Sequence, residues 1–258
     1  MERPVLSTGP FACPAATLPE SGAIIVRDWS RKSRMIARLL LQNTIFVIAM
    51  GALLFGSAGT LHWPPAWMFL VTSAVLGPLC GWWLYRIDPG LLAERLRPVI
   101  QKEQPGADKG FIIAFMVAIL AWLIAIGLDR RSAASNVPLA LQAVGFVLYL
   151  ACTLFTMWVF RENSFAAPVV KLQAERAQHV ISTGPYAHVR HPMYSGMIMF
   201  FVGLPLTLGS WWGLAIAPIF VLLLAVRIRI EERTLMAGLS GYADYAARVR
   251  YRLLPGVW

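Results

Sequence analysis

Charge is scarce in this sequence. Asp, Glu, Lys and Arg make up 14% of its 258 residues, where a soluble domain carries roughly 25%. Two stretches, 39–85 and 192–226, hold none of the four. Runs of that length exclude a soluble globular domain and imply an integral membrane protein, in keeping with 58% hydrophobic residues and a mean hydropathy of +0.62. Cysteine is scarce too: Cys13, Cys80 and Cys152 lie far apart, which excludes a disulfide framework and shows no metal-ligand spacing. Acid is scarcer than base, 13 residues against 23, for a net charge of +10. A basic balance can serve nucleic acid, but here the bases sit in loops between apolar runs, the pattern of membrane orientation, so no nucleic-acid partner is expected. Internal repeats and low-complexity segments are absent.

The apolar runs predict an all-α, polytopic membrane helix bundle of about six spans. A span needs about 20 apolar residues. The first charge-free run therefore holds two, 39–58 and 66–85, separated at Gly59-Thr-Leu-His-Trp-Pro-Pro65, where paired prolines stop a helix. Trp63 and Trp67 suit an interfacial aromatic belt. Spans at 111–128 and 137–160 follow. The second charge-free run divides at Gly209-Ser-Trp-Trp-Gly213 into 193–208 and 212–230, a tight helical hairpin whose last arm must include Arg227 to cross. Between spans two and three, Leu91, Leu92 and Leu96 form one stripe of a short interfacial helix. Residues 1–34 hold Pro4, Pro10, Pro14 and Pro19, no long apolar run and no signal-peptide core, and read as a disordered cytoplasmic tail. Residues 35–160 then form the N-terminal membrane helices, and 161–258 a functional core of loop, hairpin and C-terminal amphipathic segment. With the N-terminus inside, the inner segments carry 6, 5, 4 and 6 basic residues and only Arg130 and Arg131 fall outside, which predicts both termini and the 161–190 loop on the cytoplasmic side.

Two stretches carry chemistry. The first is the polar, turn-rich Gly184-Pro-Tyr-Ala-His-Val-Arg-His-Pro-Met-Tyr-Ser-Gly196. Gly184-Pro185 is a turn signal. His191-Pro192 starts a helix, whose first turn offers backbone N–H groups to an anion. Gly196 lets a ligand or a helix approach. Tyr186 and Tyr194 can stack on a flat ligand or hydrogen-bond to it. His179, His188 and His191 lack carboxylate or cysteine partners at ligand spacing, so no metal is expected. The second stretch is Arg227-Ile-Arg-Ile-Glu231-Glu232 at the end of the last apolar run. Arg227 and Glu231 are one turn apart and share a helix face. Ionisable residues near a membrane core mark functional sites, unless they merely snorkel at a helix end.

These motifs, with Gly241-Tyr-Ala-Asp-Tyr245 and Val249-Arg-Tyr-Arg-Leu-Leu-Pro255, resemble the isoprenylcysteine carboxyl methyltransferase and phospholipid methyltransferase group over residues 160–258. The resemblance implies an S-adenosyl-L-methionine-dependent methyltransferase acting on a carboxylate or thiol of a small or lipophilic acceptor in the lipid bilayer. It implies a cofactor site in the cytoplasmic loop and the ends of the last two spans, made by Lys171, Gln178, His179, Val180, Ile181, Tyr186, His191, Pro192, Met193, Tyr194 and Glu231. Glu231 would hold the cofactor ammonium and Arg227 would face the acceptor as the catalytic residue, with Gly184, Arg190, Gly196 and Glu232 in supporting roles. Lys171 departs from the glutamine of the eukaryotic enzymes. Phospholipid N-methylation and small-thiol S-methylation are alternatives within the group; an amine acceptor needs a base, and none is evident in the sequence. A sterol-type reductase using NADPH shares an Arg-His-Pro-x-Tyr stretch, but carries Asn where Met193 stands and lacks the Glu231-Glu232 pair. A non-catalytic membrane protein is the remaining alternative, against which the intact His191-Pro192 and Glu231 speak.

Overall fold

In a computed structural model the chain is described over residues 20–102 and 104–258, with side chains from residue 32 on. It divides into two units, 1–37 and 38–258. Among the described residues eight α-helices follow in order: α1 Glu20–Ala58, α2 Pro64–Ile87, α3 Pro89–Arg95, α4 Gly106–Ser132, α5 Leu139–Glu162, α6 Pro192–Leu208, α7 Trp211–Gly238 and α8 Tyr242–Arg248. No strand occurs among the described residues. Of the tail expected at 1–34, residues 1–19 lie outside the described residues, and 20–34 are helical, as the start of α1.

Local chemistry sets the helix ends. Pro64 and Pro192 occupy first-turn positions of α2 and α6, where the missing N–H costs nothing. Asp88 caps α3 by accepting from the Leu91 N–H at 2.8 Å, and Ser210 caps α7 by accepting from the Gly213 N–H at 2.9 Å. Gly209, at φ 76°, ends α6 and lets α7 turn back at once.

Among the described residues, five helices are long and apolar enough to cross a membrane. The sixth expected span, α6, has only 17 residues, about 25 Å at 1.5 Å per residue, against a hydrocarbon core of about 30 Å. Its partner α7 is 28 residues long and overruns the expected end at 230 to reach Gly238. The longer α7 carries Glu231 and Glu232 on the same helix as Arg227, as the spacing of Arg227 and Glu231 predicts. Large apolar side chains on the outer faces are exposed, Leu139 by 80% and Leu222 by 68%. A soluble protein does not expose such a surface, and a bilayer covers it.

Inside, α4, α6 and α7 meet around Trp122, Phe201 and Phe220. The Phe201 and Phe220 rings stack at 4.4 Å, and the Trp122 indole donates to the Gly213 carbonyl at 2.7 Å. Helices α5 and α6 touch through Gly145 and Gly203, where an added Cβ would come within 2.5–2.8 Å of the facing backbone. Two expectations change here. Trp63 does not sit in an interfacial belt: it is buried and donates to the Leu208 carbonyl at 3.2 Å, while Trp67 is exposed. Leu91, Leu92 and Leu96 are likewise buried within the protein, because short α3 folds back onto the bundle.

Candidate functional site

The loop between α5 and α6 crosses the end of the bundle through two 3-10 turns, Ala174–Arg176 and Gly184–Ala187. Gly184 has a φ of +54°, and a Cβ there would lie 2.6 Å from the Glu162 side chain, so the turn requires glycine. The turn drops Tyr186 into the protein. Its hydroxyl accepts from the Asn163 amide at 2.7 Å, and its carbonyl accepts from the Tyr245 hydroxyl at 2.9 Å. Burial pushes the Tyr186 and Tyr242 phenols well above their ordinary value and Tyr245 up to about 12, so all three stay neutral.

Loop, α6, α7 and α8 line a cleft whose empty space, open solvent included, is about 800 Å³. Lys171, Gln178, His179, Val180, Ile181, Tyr186, His191, Met193, Tyr194 and Glu231 all line it, as does Arg190; Pro192 and Arg227 do not. The structure thus brings together ten of the eleven residues assigned to the cofactor from the motifs. It adds Asn163, Phe165, Val169 and Val170 from the loop, Leu235 and Leu239 from α7 and its end, and Tyr242 and Tyr245 from α8. The two tyrosines stand in the Gly-Tyr-Ala-Asp-Tyr motif, a signal already in view. Asn163 and Phe165 stand in a polar loop without a recognisable pattern.

Glu231 is the carboxylate of this lining. Its Oε2 accepts from the Tyr194 hydroxyl at 2.6 Å and lies 3.8 Å from His191 Nδ1. Oε1 receives no hydrogen bond among the described residues, and the side chain keeps 28% of its exposure, toward the cleft. His191 and Tyr194 stack at 5.7 Å, which fixes both rings.

Glu232 does a different job. Its Oε1 accepts from Arg190 Nε at 2.6 Å and lies 3.3 Å from His191 Nε2. Its Oε2 accepts from Arg252 Nε at 2.9 Å. Arg190 also donates through Nη1 to the carbonyls of Ala246, Val249 and Arg250. The C-terminal segment is thereby latched under the motif, with the Arg190 and His191 N–H groups donating to the Tyr251 and Arg252 carbonyls at 2.9 Å each. That changes the expected anion site. Pro192 has no N–H and Tyr194 N donates to the His191 carbonyl, so the first turn of α6 offers only the Met193 N–H. Gly196 faces α5, with Phe155 3.2 Å from where its Cβ would lie, so it admits a helix rather than a ligand.

Arg227 lies outside the cleft lining, under the loop and beside the Tyr194 side chain. Its Nη2 donates to the Pro168 carbonyl at 2.6 Å and lies 3.7 Å from Asp108 Oδ1, and its guanidinium sits 5.4 Å from the Phe111 ring. Lys171 lines the cleft with its stem while its ammonium pairs with buried Glu94 of α3 and donates to Gln101 at 3.1 Å. Neighbouring Arg95 of α3 donates to the Ala166 carbonyl at 2.9 Å. The histidines separate: His191 is buried between carboxylates, while His179 is edge-on to Phe165 at 5.2 Å. Among the described residues there is no group of three or more His, Cys, Asp and Glu placed to hold a metal.

No curated protein matches the chain. Residues 141–241, which span nearly all of α5, the loop, α6 and α7, match the family model described as phospholipid methyltransferase, within the group that the motifs resemble.

Proposed function

We propose that the protein transfers a methyl group from S-adenosyl-L-methionine to a carboxylate or thiol of a small or lipophilic acceptor. The observation that carries this is Glu231. A carboxylate with one oxygen oriented by Tyr194 and the other turned to an aromatic, partly open cleft suits the ammonium of a zwitterionic amino acid. The Met193 N–H suits that amino acid's carboxylate, and Tyr186 and His191 offer flat faces to a purine. These residues fit the cofactor; Lys171, whose charge is spent on Glu94, would contribute only its stem.

When bound, the cofactor supplies a methyl group on a sulfonium, so the chemistry needs no redox step and no metal. The protein's task is alignment and exclusion of water. Val169, Val180, Leu235 and Leu239 make the walls apolar. Arg227 Nε is buried and has no hydrogen-bond partner among the described residues; we assign it to the acceptor's anionic oxygen or sulfur. The cleft and both termini face the cytoplasm, as the distribution of basic residues supports.

The name of the matching family favours a second reading, methylation of a phospholipid amine. An amine arrives protonated and must lose that proton. Among the described lining residues Glu231 is engaged by Tyr194 and His191 by Glu232, which leaves the exposed His179 to take that proton.

Calorimetry on detergent-purified protein tests the reading. Wild type should bind S-adenosylmethionine in the micromolar range. Glu231→Gln should weaken binding by about 10- to 30-fold, an exposed-discounted share of what truncating a charge pair costs. A folded wild type that binds no S-adenosylmethionine would sink the proposal.

A further inference from the structure

Asp108, in the first turn of α4, has no exposed surface at all, yet it lies outside the matched domain and outside every motif. Its Oδ2 accepts from the Gln104 amide at 2.6 Å and from the Val170 N–H at 2.9 Å. Val170 lines the cleft. Its Oδ1 faces the Arg227 guanidinium at 3.7 Å and, among the described residues, is buried without a hydrogen bond. Arg227 Nε is buried and has no hydrogen bond among them either. Two opposite charges in one dry pocket, each with an idle atom, call for an explanation.

We infer that Asp108 is the positioning residue of Arg227: it holds the guanidinium by charge at hydrogen-bond-plus distance, fixes the cleft wall through Val170, and so keeps Nε free for the acceptor. This rests on the methyl-transfer reading for what Nε meets, but not for the pairing itself. The division of labour between the two oxygens follows from geometry. Oδ2 serves the wall, and Oδ1 serves the arginine. The same Nη2 of Arg227 that faces Asp108 donates to the Pro168 carbonyl at 2.6 Å, two residues before Val170, so one short stretch of loop is gripped by both partners.

The geometry makes Asp108→Asn selective. With its carbonyl oxygen at the Oδ2 position, the amide still accepts from Gln104 and Val170, while its NH2 replaces the acceptor that faces Arg227. The test is peptide-resolved labelling of arginines by phenylglyoxal in the full-length protein in detergent, beside calorimetry with S-adenosylmethionine. Asp108→Asn should label at Arg227 about tenfold faster than wild type, the factor that about 1.4 kcal/mol of lost restraint gives. Labelling at Arg190, which is paired elsewhere, should not change, and S-adenosylmethionine affinity should stay within about twofold, well under the tenfold step. Unchanged labelling at Arg227 overturns the inference. So does a parallel loss of cofactor affinity and thermal stability, which marks Asp108 as a wall anchor only. Should Asp108→Asn not fold, the double variant Asp108→Asn, Arg227→Met should fold, since neither charge is then left alone; a double variant that stays unfolded also overturns it. Failure of the wild type to bind S-adenosylmethionine would instead strike the methyltransferase reading and leave the labelling result standing.

Discussion

Removing the Glu232 carboxylate should free the C-terminal segment from the motif it supports. In Glu232→Ala, Arg190 loses its 2.6 Å partner while both side chains are at least nine-tenths buried. Breaking a buried pair from one side costs about 3–5 kcal/mol. Arg190 keeps three carbonyl acceptors, which puts the loss at the low end. The Arg252 side chain is 32% exposed, so its contact counts as a surface pair of about 0–1 kcal/mol. About 3 kcal/mol corresponds to roughly a 150-fold rise in the local opening constant. Hydrogen exchange read by mass spectrometry reports this directly, because the Arg190 and His191 N–H groups donate to carbonyls of the latched segment. Exchange of those amides and of peptide 249–258 should accelerate by that factor. Glu232→Gln, which keeps one acceptor, should give about tenfold, the factor for about 1.4 kcal/mol. Added salt should change neither much, since buried pairs are poorly screened. Amides at 190 and 191 that exchange within about threefold of wild type in Glu232→Ala, under 1 kcal/mol, would refute the latch.

Two further outcomes follow from buried charge and buried phenols. Lys171→Met leaves Glu94, whose side chain is 5% exposed, with only the exposed Arg97 at 3.4 Å, and should lower stability by about 3 kcal/mol; adding Glu94→Gln should restore more than half of that in a thermal-unfolding assay, whereas strict additivity of the two losses would contradict the pairing. Tyr245 has a folded value near 12, raised from 10.0 by burial, so its contribution is complete below pH 10 and is lost as pH rises toward 12. The advantage of wild type over Tyr245→Phe, about 1 kcal/mol from the hydrogen bond to Tyr186, should therefore vanish near pH 11, where linkage removes about 1.4 kcal/mol; a gap that is the same at pH 8 and pH 11 would count against a buried neutral phenol.

What the sequence determined by itself is what depends on neighbours along the chain. Charge-free runs of sufficient length must be helical in a bilayer, because no water is there to satisfy a free backbone. Paired prolines at 64 and 65 and the Gly209-Ser210 break must end helices wherever they fall. Arg227 and Glu231 must share a face once their run is helical. The Gly184 to Gly196 motif could likewise be picked out, since so polar a stretch between apolar ones has few structural uses. Only the tertiary structure decided how these pieces face one another. It turned the Leu91, Leu92 and Leu96 stripe onto the protein rather than the lipid, and took Trp63 inside, because apolar side chains look alike to sequence whether bilayer or protein covers them. It spent the first N–H groups of the His191-Pro192 turn on carbonyls sixty residues away in sequence. It divided two adjacent glutamates between tasks, Glu231 toward the cleft and Glu232 toward Arg190 and Arg252, since successive residues on a helix are about 100° apart and meet different neighbours. And it brought Asp108, distant in sequence and without any motif, against Arg227, a pairing that arises only when α4 and α7 lie side by side.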